Sequence, residues 1–159
     1  MEPHPDYIGV LLPRKLTIGE FHLTPLSPEY VDEDFGAVMA TAPLLAGIFG
    51  DWPQGLTRED NLIDLAWHER EFTTNRSFSW IIRDPASLYV GCFYISPAIA
   101  CRGKADAQMW LCDMPDRLDV AKGLQAQLAA WMAEALPPEV DITWNTRPEL
   151  DKNNDTTGC

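Results

Sequence analysis

Aromatic and β-branched residues crowd the middle of the chain. From Ser77 to Pro97 it reads S-F-S-W-I-I-R-D-P-A-S-L-Y-V-G-C-F-Y-I-S-P. Two runs of strand formers flank a D-P-A-S connector made of turn formers, which predicts a hairpin over 78–95. Gly91 sits at the centre of the second run. A glycine there weakens a strand, so it marks a bulge or a close approach by another backbone or a ligand. Upstream, L-T-I-G-E-F-H-L-T-P-L at 16–26 predicts a first strand, with Glu20, His22 and Thr24 alternating with Phe21 and Leu23. Ser27 then caps a helix, Pro28 takes its first position and Glu29 its first turn. Val31, Phe35, Val38 and Ala42 recur at helical spacing until Pro43.

The next piece, L-L-A-G-I-F-G-D-W-P-Q-G, predicts a loop carrying two large apolar residues, Phe49 and Trp52, which either cover the core or line a pocket. Thr57, with Asp60 three residues on, opens a second helix by a capping-box arrangement. Its wheel puts Leu62, Leu65, Ala66 and Phe72 on one face, with Glu69 in the middle of them. Residues 105–112, A-D-A-Q-M-W-L-C, predict another strand. Arg117 to Leu136 is the clearest helix, striped by Val120, Leu124, Leu128, Trp131 and Ala135, widened by Ala121 and Met132, and stopped by Pro137-Pro138. V-D-I-T-W at 140–144 is a final strand. The order β-α-α-β-β-β-α-β predicts a mixed α/β sheet with helices on both faces, mostly antiparallel, with one helical crossover late in the chain. An N-terminal arm over 1–15, one domain over 16–147 and a disordered polar tail over 148–159 complete the expected organisation.

Composition narrows the functional classes. The chain has 159 residues, 46% of them apolar, enough for one self-sufficient core. Its formal net charge of −12 opposes nucleic-acid binding, which needs clustered Lys and Arg. The same charge serves solubility or attracts cationic substrates such as amines. No apolar run is long enough to span a bilayer, and the N-terminus lacks the basic start of a secretion signal, so a cytoplasmic protein with no membrane partner is expected. Reduced thiols follow, with Cys92 and Cys112 as small buried residues. His4, His22 and His68 form no close ligand pairs, and no metal is expected.

Chemistry-bearing side chains cluster on the second helix. Glu69 on an apolar face reads either as a general base whose pKa burial raises or as an edge residue beside Arg70 or Arg76. His68 lies one turn after Asp64, a pair that either orients a catalytic imidazole or makes a surface contact. Trp52, Trp67 and Trp80 either wall an acceptor pocket or pack the core.

The element order, together with L-T-I-G-E-F-H-L-T-P-L-S-P-E-Y, L-Y-V-G-C-F-Y-I-S-P, A-D-A-Q-M-W-L-C and L-Q-A-Q-L-A-A-W-M, resembles the GNAT superfamily of acyl-CoA-dependent N-acetyltransferases over residues 16–147. The resemblance implies an acyl transfer from acetyl-CoA to a small amine, in a fold whose fourth and fifth strands splay apart to admit the pantetheine arm. It assigns those strands to 88–95 and 105–112. It places an oxyanion-binding N–H near Phe93 or Tyr94, and sets Trp110, Leu111 and Cys112 against the pantetheine. Arg117, Lys122 and Gly123 fall where the family binds the cofactor's pyrophosphate. The family's glycine-rich loop is degenerate here, reading C-D-M-P-D-R-L-D-V-A-K-G, with Asp113, Asp116 and Asp119 where a polyanion belongs. The family's C-terminal tyrosine is missing, which leaves Tyr94 or a water as the acid for the leaving thiolate. Dimers are common in similar proteins, which keeps a homodimer among the open assemblies; the sequence does not fix the oligomeric state. The alternative reading is a non-catalytic CoA-binding or protein-interaction domain that has lost the phosphate loop.

Overall fold

The computed structural model describes residues 1–145; the polar tail expected over 148–159 lies outside them. Nine elements follow in order: β1 Leu16–Ile18, β2 Phe21–Pro25, α1 Val31–Leu45, α2 Arg58–Thr73, β3 Phe78–Arg83, β4 Tyr89–Pro97, β5 Lys104–Leu111, α3 Arg117–Ala135 and β6 Asp141–Trp144. The sheet runs in sequence order, β1-β2-β3-β4-β5-β6. All neighbours pair antiparallel except β5 and β6, which are parallel and joined through α3. The mixed sheet with helices on both faces is as the pattern predicts.

Two boundaries differ from the sequence expectation. The single strand expected at 16–26 is a hairpin, with Ile18 opposite Phe21. Gly19 makes this tight reversal possible because its φ of 58° is open to glycine and costly for other residues. Helix α1 starts at Val31, after a 3-10 turn over Pro28–Tyr30, and runs through Pro43 to Leu45. The capping box of α2 is present: the Thr57 hydroxyl accepts from the Asp60 N–H at 3.1 Å, and the Asp60 carboxylate accepts from the Thr57 N–H at 3.3 Å.

The strands divide the core by their period of two. On one face Ile81, Cys92 and Trp110 meet Val31, Val38 and Leu45 of α1 and Leu65 of α2. On the other, Trp80, Phe93, Met109 and Leu111 meet Ala121, Leu124, Leu128 and Met132 of α3. Tyr7, Val10 and Leu12 of the segment before β1 join this second cluster. That segment is tied down by Asp6, which accepts from Arg102 Nε at 2.7 Å and from the Gly103 N–H at 2.8 Å.

Gly91 behaves as its position predicts. The β3–β4 register shifts beside it, so Ile82 faces Gly91 while Arg83 faces Tyr89. The Trp110 carbonyl of β5 comes so close that a Cβ on residue 91 would lie 2.1 Å from its oxygen. The close approach is made by a neighbouring strand and not by a ligand.

Candidate functional site

The expected parting of 88–95 from 105–112 is absent. Strands β4 and β5 pair without a break from Gly91–Leu111 to Pro97–Ala105. With β3 on its other side, β4 is an interior strand whose backbone groups belong to two ladders. An oxyanion-binding N–H at Phe93 or Tyr94 is therefore ruled out. Phe93 turns its ring into the α3-side core, stacked on Trp80.

The helical crossover follows β5, so the strand pair that flanks a crossover helix in this chain is β5 with β6. The backbone of β5 alternates in direction. Lys104 accepts from Ala98 on the β4 side, and Cys112 donates to Val90 on the same side at 2.8 Å. Trp110 shares that phase, so neither it nor Cys112 offers its backbone to a ligand lying beyond β5. Ala105, Ala107, Met109 and Leu111 therefore turn their backbones toward β6. Ala107 accepts from the Asn145 N–H, and Leu111 accepts from Arg117 Nε at 3.0 Å. The β5–β6 register of described residues runs from Lys104–Asp141 to Ala107–Trp144, and Met109 lies two residues past its last pair.

On the α1/α2 side of the sheet a pocket of about 220 Å³ opens, lined by Phe49, Trp52, Asp64, His68, Tyr94, Ser96 and Gln108. Phe49 and Trp52 come from the α1–α2 loop, their rings edge-on at 5.6 Å. Trp52 leans toward Trp110 and Phe49 toward Tyr94, each pair of centroids 6.3 Å apart. One turn of α2 brings His68 to Asp64, with Nε2 3.4 Å from the carboxylate. The other ring nitrogen, Nδ1, lies 2.9 Å from the Ser79 hydroxyl on β3. The Asp–His pair expected on α2 thus exists, and a third group orients it. Ser79 was missed by sequence reasoning, although a serine between Phe78 and Trp80 at an inward-facing register is a polar residue placed in a core strand.

Other expected site residues lie elsewhere. Glu69 is partly exposed and pairs with Arg14 at 3.5 Å, outside the pocket. The buried carboxylate of α2 is Glu71, paired with Arg76 at 3.3 Å. Trp67 is 55% exposed, with the Arg70 guanidinium 3.9 Å over its ring, and does not line the pocket. Trp80 is fully buried on the opposite face. Lys122 and Gly123 are exposed in the second turn of α3, behind its first. Of the cysteines expected to be reduced, Cys92 and Cys112 are free. Among the described residues no group of three His, Cys, Asp or Glu could hold a metal ion, and no helix is long and apolar enough to cross a membrane.

A polar network runs through the core on the α1 side of the sheet. Asp34 is buried on α1 and accepts from the Tyr89 hydroxyl and from Asn61 Nδ2 at 2.7 Å. Tyr89 in turn lies 2.8 Å from Cys92 Sγ, and Trp110 Nε1 donates to the Tyr94 hydroxyl at 3.1 Å. Burial pushes the Asp34 carboxyl up, against the two hydrogen bonds that pull it down. Burial also drives the Tyr89, Cys92 and Tyr94 hydrogens to higher pKa. A phenol so perturbed keeps its proton. Tyr94 lines the pocket and accepts its hydrogen bond from Trp110 there.

Backbone likeness to solved structures decides the fold's name. Microcin C7 self-immunity acetyltransferase MccE, in complex with acetyl-CoA and AMP, superposes over 86% of this chain and 75% of its own, with TM-score 0.66 and 12% identity. The fold is that of the GNAT acetyltransferases. RimL, a ribosomal L7/L12 α-N-protein acetyltransferase in complex with coenzyme A, covers 75% of this chain and 67% of its own at TM-score 0.63 and 14% identity. Ribosomal-protein-S5-alanine acetyltransferase from Vibrio fischeri covers 76% and 68% at TM-score 0.58 and 12% identity. No family model matches the chain, and no curated protein matches it in sequence.

The GNAT donor, an acyl-CoA, has two ends to place. The β6-facing edge of β5 at Met109 and Leu111 fits the thioester arm, because its backbone phase points away from β4. The turn from β5 to α3 does not fit the diphosphate. Pro115 has no N–H, Asp116 takes the left-handed conformation at φ 55° without capping the helix, and Asp113, Asp116 and Asp119 are all exposed there. A Cβ on Gly123 would meet nothing within 4 Å, so this glycine makes no cradle.

Proposed function

We propose that the chain is an N-acyltransferase that takes a small amine in the Phe49–Trp52–His68–Tyr94 pocket. The observation that carries this reading is the oriented Asp64–His68 pair at the mouth of an aromatic pocket, on a fold shared with acetyltransferases. Three rings and one carboxylate suit a protonated amine: the cation lies over ring faces and near Asp64. An amine must lose its proton before it attacks. With Nδ1–H donating to the Ser79 hydroxyl, Nε2 is unprotonated beside the Asp64 carboxylate, 3.4 Å away. The amine gives its proton to Nε2 there, and Asp64 stabilises the imidazolium that results. The acyl thioester supplies an activated carbonyl. Met109 and Leu111 on the outer edge of β5 are the residues proposed to hold its arm, in place of Phe93, Trp110 and Cys112. The net charge of −12 favours arrival of a cationic acceptor.

The test is release of free thiol from an acetyl thioester in the presence of a panel of primary amines, with the acylated amine identified by mass spectrometry. Amine-dependent release that disappears in His68→Gln supports the reading. Release at the rate of spontaneous hydrolysis across the whole panel overturns it.

The degenerate turn before α3 favours a second reading, a domain of this fold that binds an amine ligand in the same pocket without transferring an acyl group. Amine binding by calorimetry with no thiol release identifies it.

A further inference from the structure

We infer, on the acyl-transfer reading above, that this chain grips its acyl donor by the pantetheine-like thioester arm alone and leaves a nucleotide diphosphate unbound at the start of α3. A diphosphate site needs converging N–H donors and a local excess of positive charge. Residues 113–119 offer three carboxylates, Asp113, Asp116 and Asp119, against one guanidinium. Arg117 Nε donates to the Leu111 carbonyl, which fixes the guanidinium against β5, and its single positive charge stands against three negative ones. Lys122 stands a turn deeper in the helix. Arg102 is paired with Asp6, and Lys104 opens β5 at the end opposite α3, about 23 Å away along seven residues of strand. The turn itself removes a donor at Pro115. Asp116, at the N-cap, sends no side-chain bond back to the helix, so its carboxylate remains to repel a phosphate. The donor class that fits is an acyl thioester of an uncharged pantetheine-like thiol. The thioester arm and the acceptor pocket then carry all the recognition.

The experiment compares binding of S-acetylpantetheine and acetyl-CoA to the full chain by calorimetry. Acetyl-CoA is expected to bind about tenfold more weakly than S-acetylpantetheine, because the carboxylates repel its diphosphate. Raising NaCl from about 0.05 to 0.5 M is expected to leave S-acetylpantetheine unchanged and to tighten acetyl-CoA, because salt screens the repulsion. The triple variant Asp113→Asn, Asp116→Asn, Asp119→Asn is expected to tighten acetyl-CoA roughly tenfold without affecting S-acetylpantetheine. Acetyl-CoA binding more than about thirtyfold tighter than S-acetylpantetheine, and weakening with salt, would overturn the inference while leaving the transferase reading intact. Binding of neither compound defeats both.

Discussion

Replacing Gly91 with alanine tests the closed β4–β5 register at its tightest point. The added methyl would lie 2.1 Å from the Trp110 carbonyl oxygen, 2.9 Å from Leu111 Cδ2 and 3.0 Å from Leu111 Cα. The first contact is roughly 1 Å shorter than an ordinary carbon–oxygen approach, and its partner is backbone that cannot swing aside. The strands must part locally. Overpacking of this kind costs about 1–3 kcal/mol. Weakening the adjacent bond from the Cys112 N–H to the Val90 carbonyl, 2.8 Å long, adds about 1 kcal/mol. The sum is about 2–4 kcal/mol, a fall in Tm of roughly 5–15 °C for a chain of this size. Urea unfolding followed by circular dichroism measures it. Gly123→Ala is the matched control: its Cβ meets nothing within 4 Å in the middle of α3, so it should gain about 0.5–1 kcal/mol. A Gly91→Ala protein within about 0.5 kcal/mol of the parent refutes the argument, because strands that part at this point would accept the methyl.

Three further outcomes are expected. His68→Gln should lower kcat for amine acylation by about 10²–10⁴-fold with the fold intact, read from thiol release and a matching melting curve. Asp34 titrates above its ordinary value because it is buried, so the folded state holds this proton when the unfolded chain has lost it. Its contribution to stability is complete below about pH 3.8 and declines as pH rises through the raised folded value. The difference in unfolding free energy between the parent and Asp34→Asn, taken across a pH series, should follow that decline; a pH-independent difference contradicts it. Tyr7 is fully buried, and its hydroxyl has no hydrogen-bond partner among the described residues. Tyr7→Phe should therefore stabilise by about 0.5–2 kcal/mol in urea unfolding, and a loss of stability would mean the hydroxyl is satisfied.

The sequence carried the element order because its signals were local. The D-P-A-S turn, the Thr57–Asp60 box and the stripe of α3 all act within a few residues and survive in the fold. Strand pairing is non-local, and there the reading slipped by one. Gly91 looked like an opening for a ligand, yet the backbone that approaches it belongs to β5. The Leu16–Leu26 hairpin was counted as one strand, and the parting pair was placed before the crossover helix and not on either side of it. The α2 wheel also misled. Glu69 fell in the apolar arc on paper, but the face that meets the sheet includes Asn61, Leu65, Glu71 and Phe72. On α1 the acid Asp34 shares spacing with Val31, Val38, Thr41 and Leu45, a buried stripe that a reading centred on Phe35 and Ala42 passes over. The His68–Asp64 pair was legible from i,i+4 spacing alone. Its partner Ser79 was not, because only the packing of α2 on β3 brings the hydroxyl to the imidazole.

A crystal structure with an unreactive S-acetonyl pantetheine thioether and a bound primary amine tests the central claim most directly. The account predicts the amine nitrogen among Phe49, Trp52 and Tyr94, facing His68, with the acetonyl carbonyl at the outer edge of β5 near Met109. An amine bound away from His68, or a thioether arm lying anywhere other than beside β5, would contradict it.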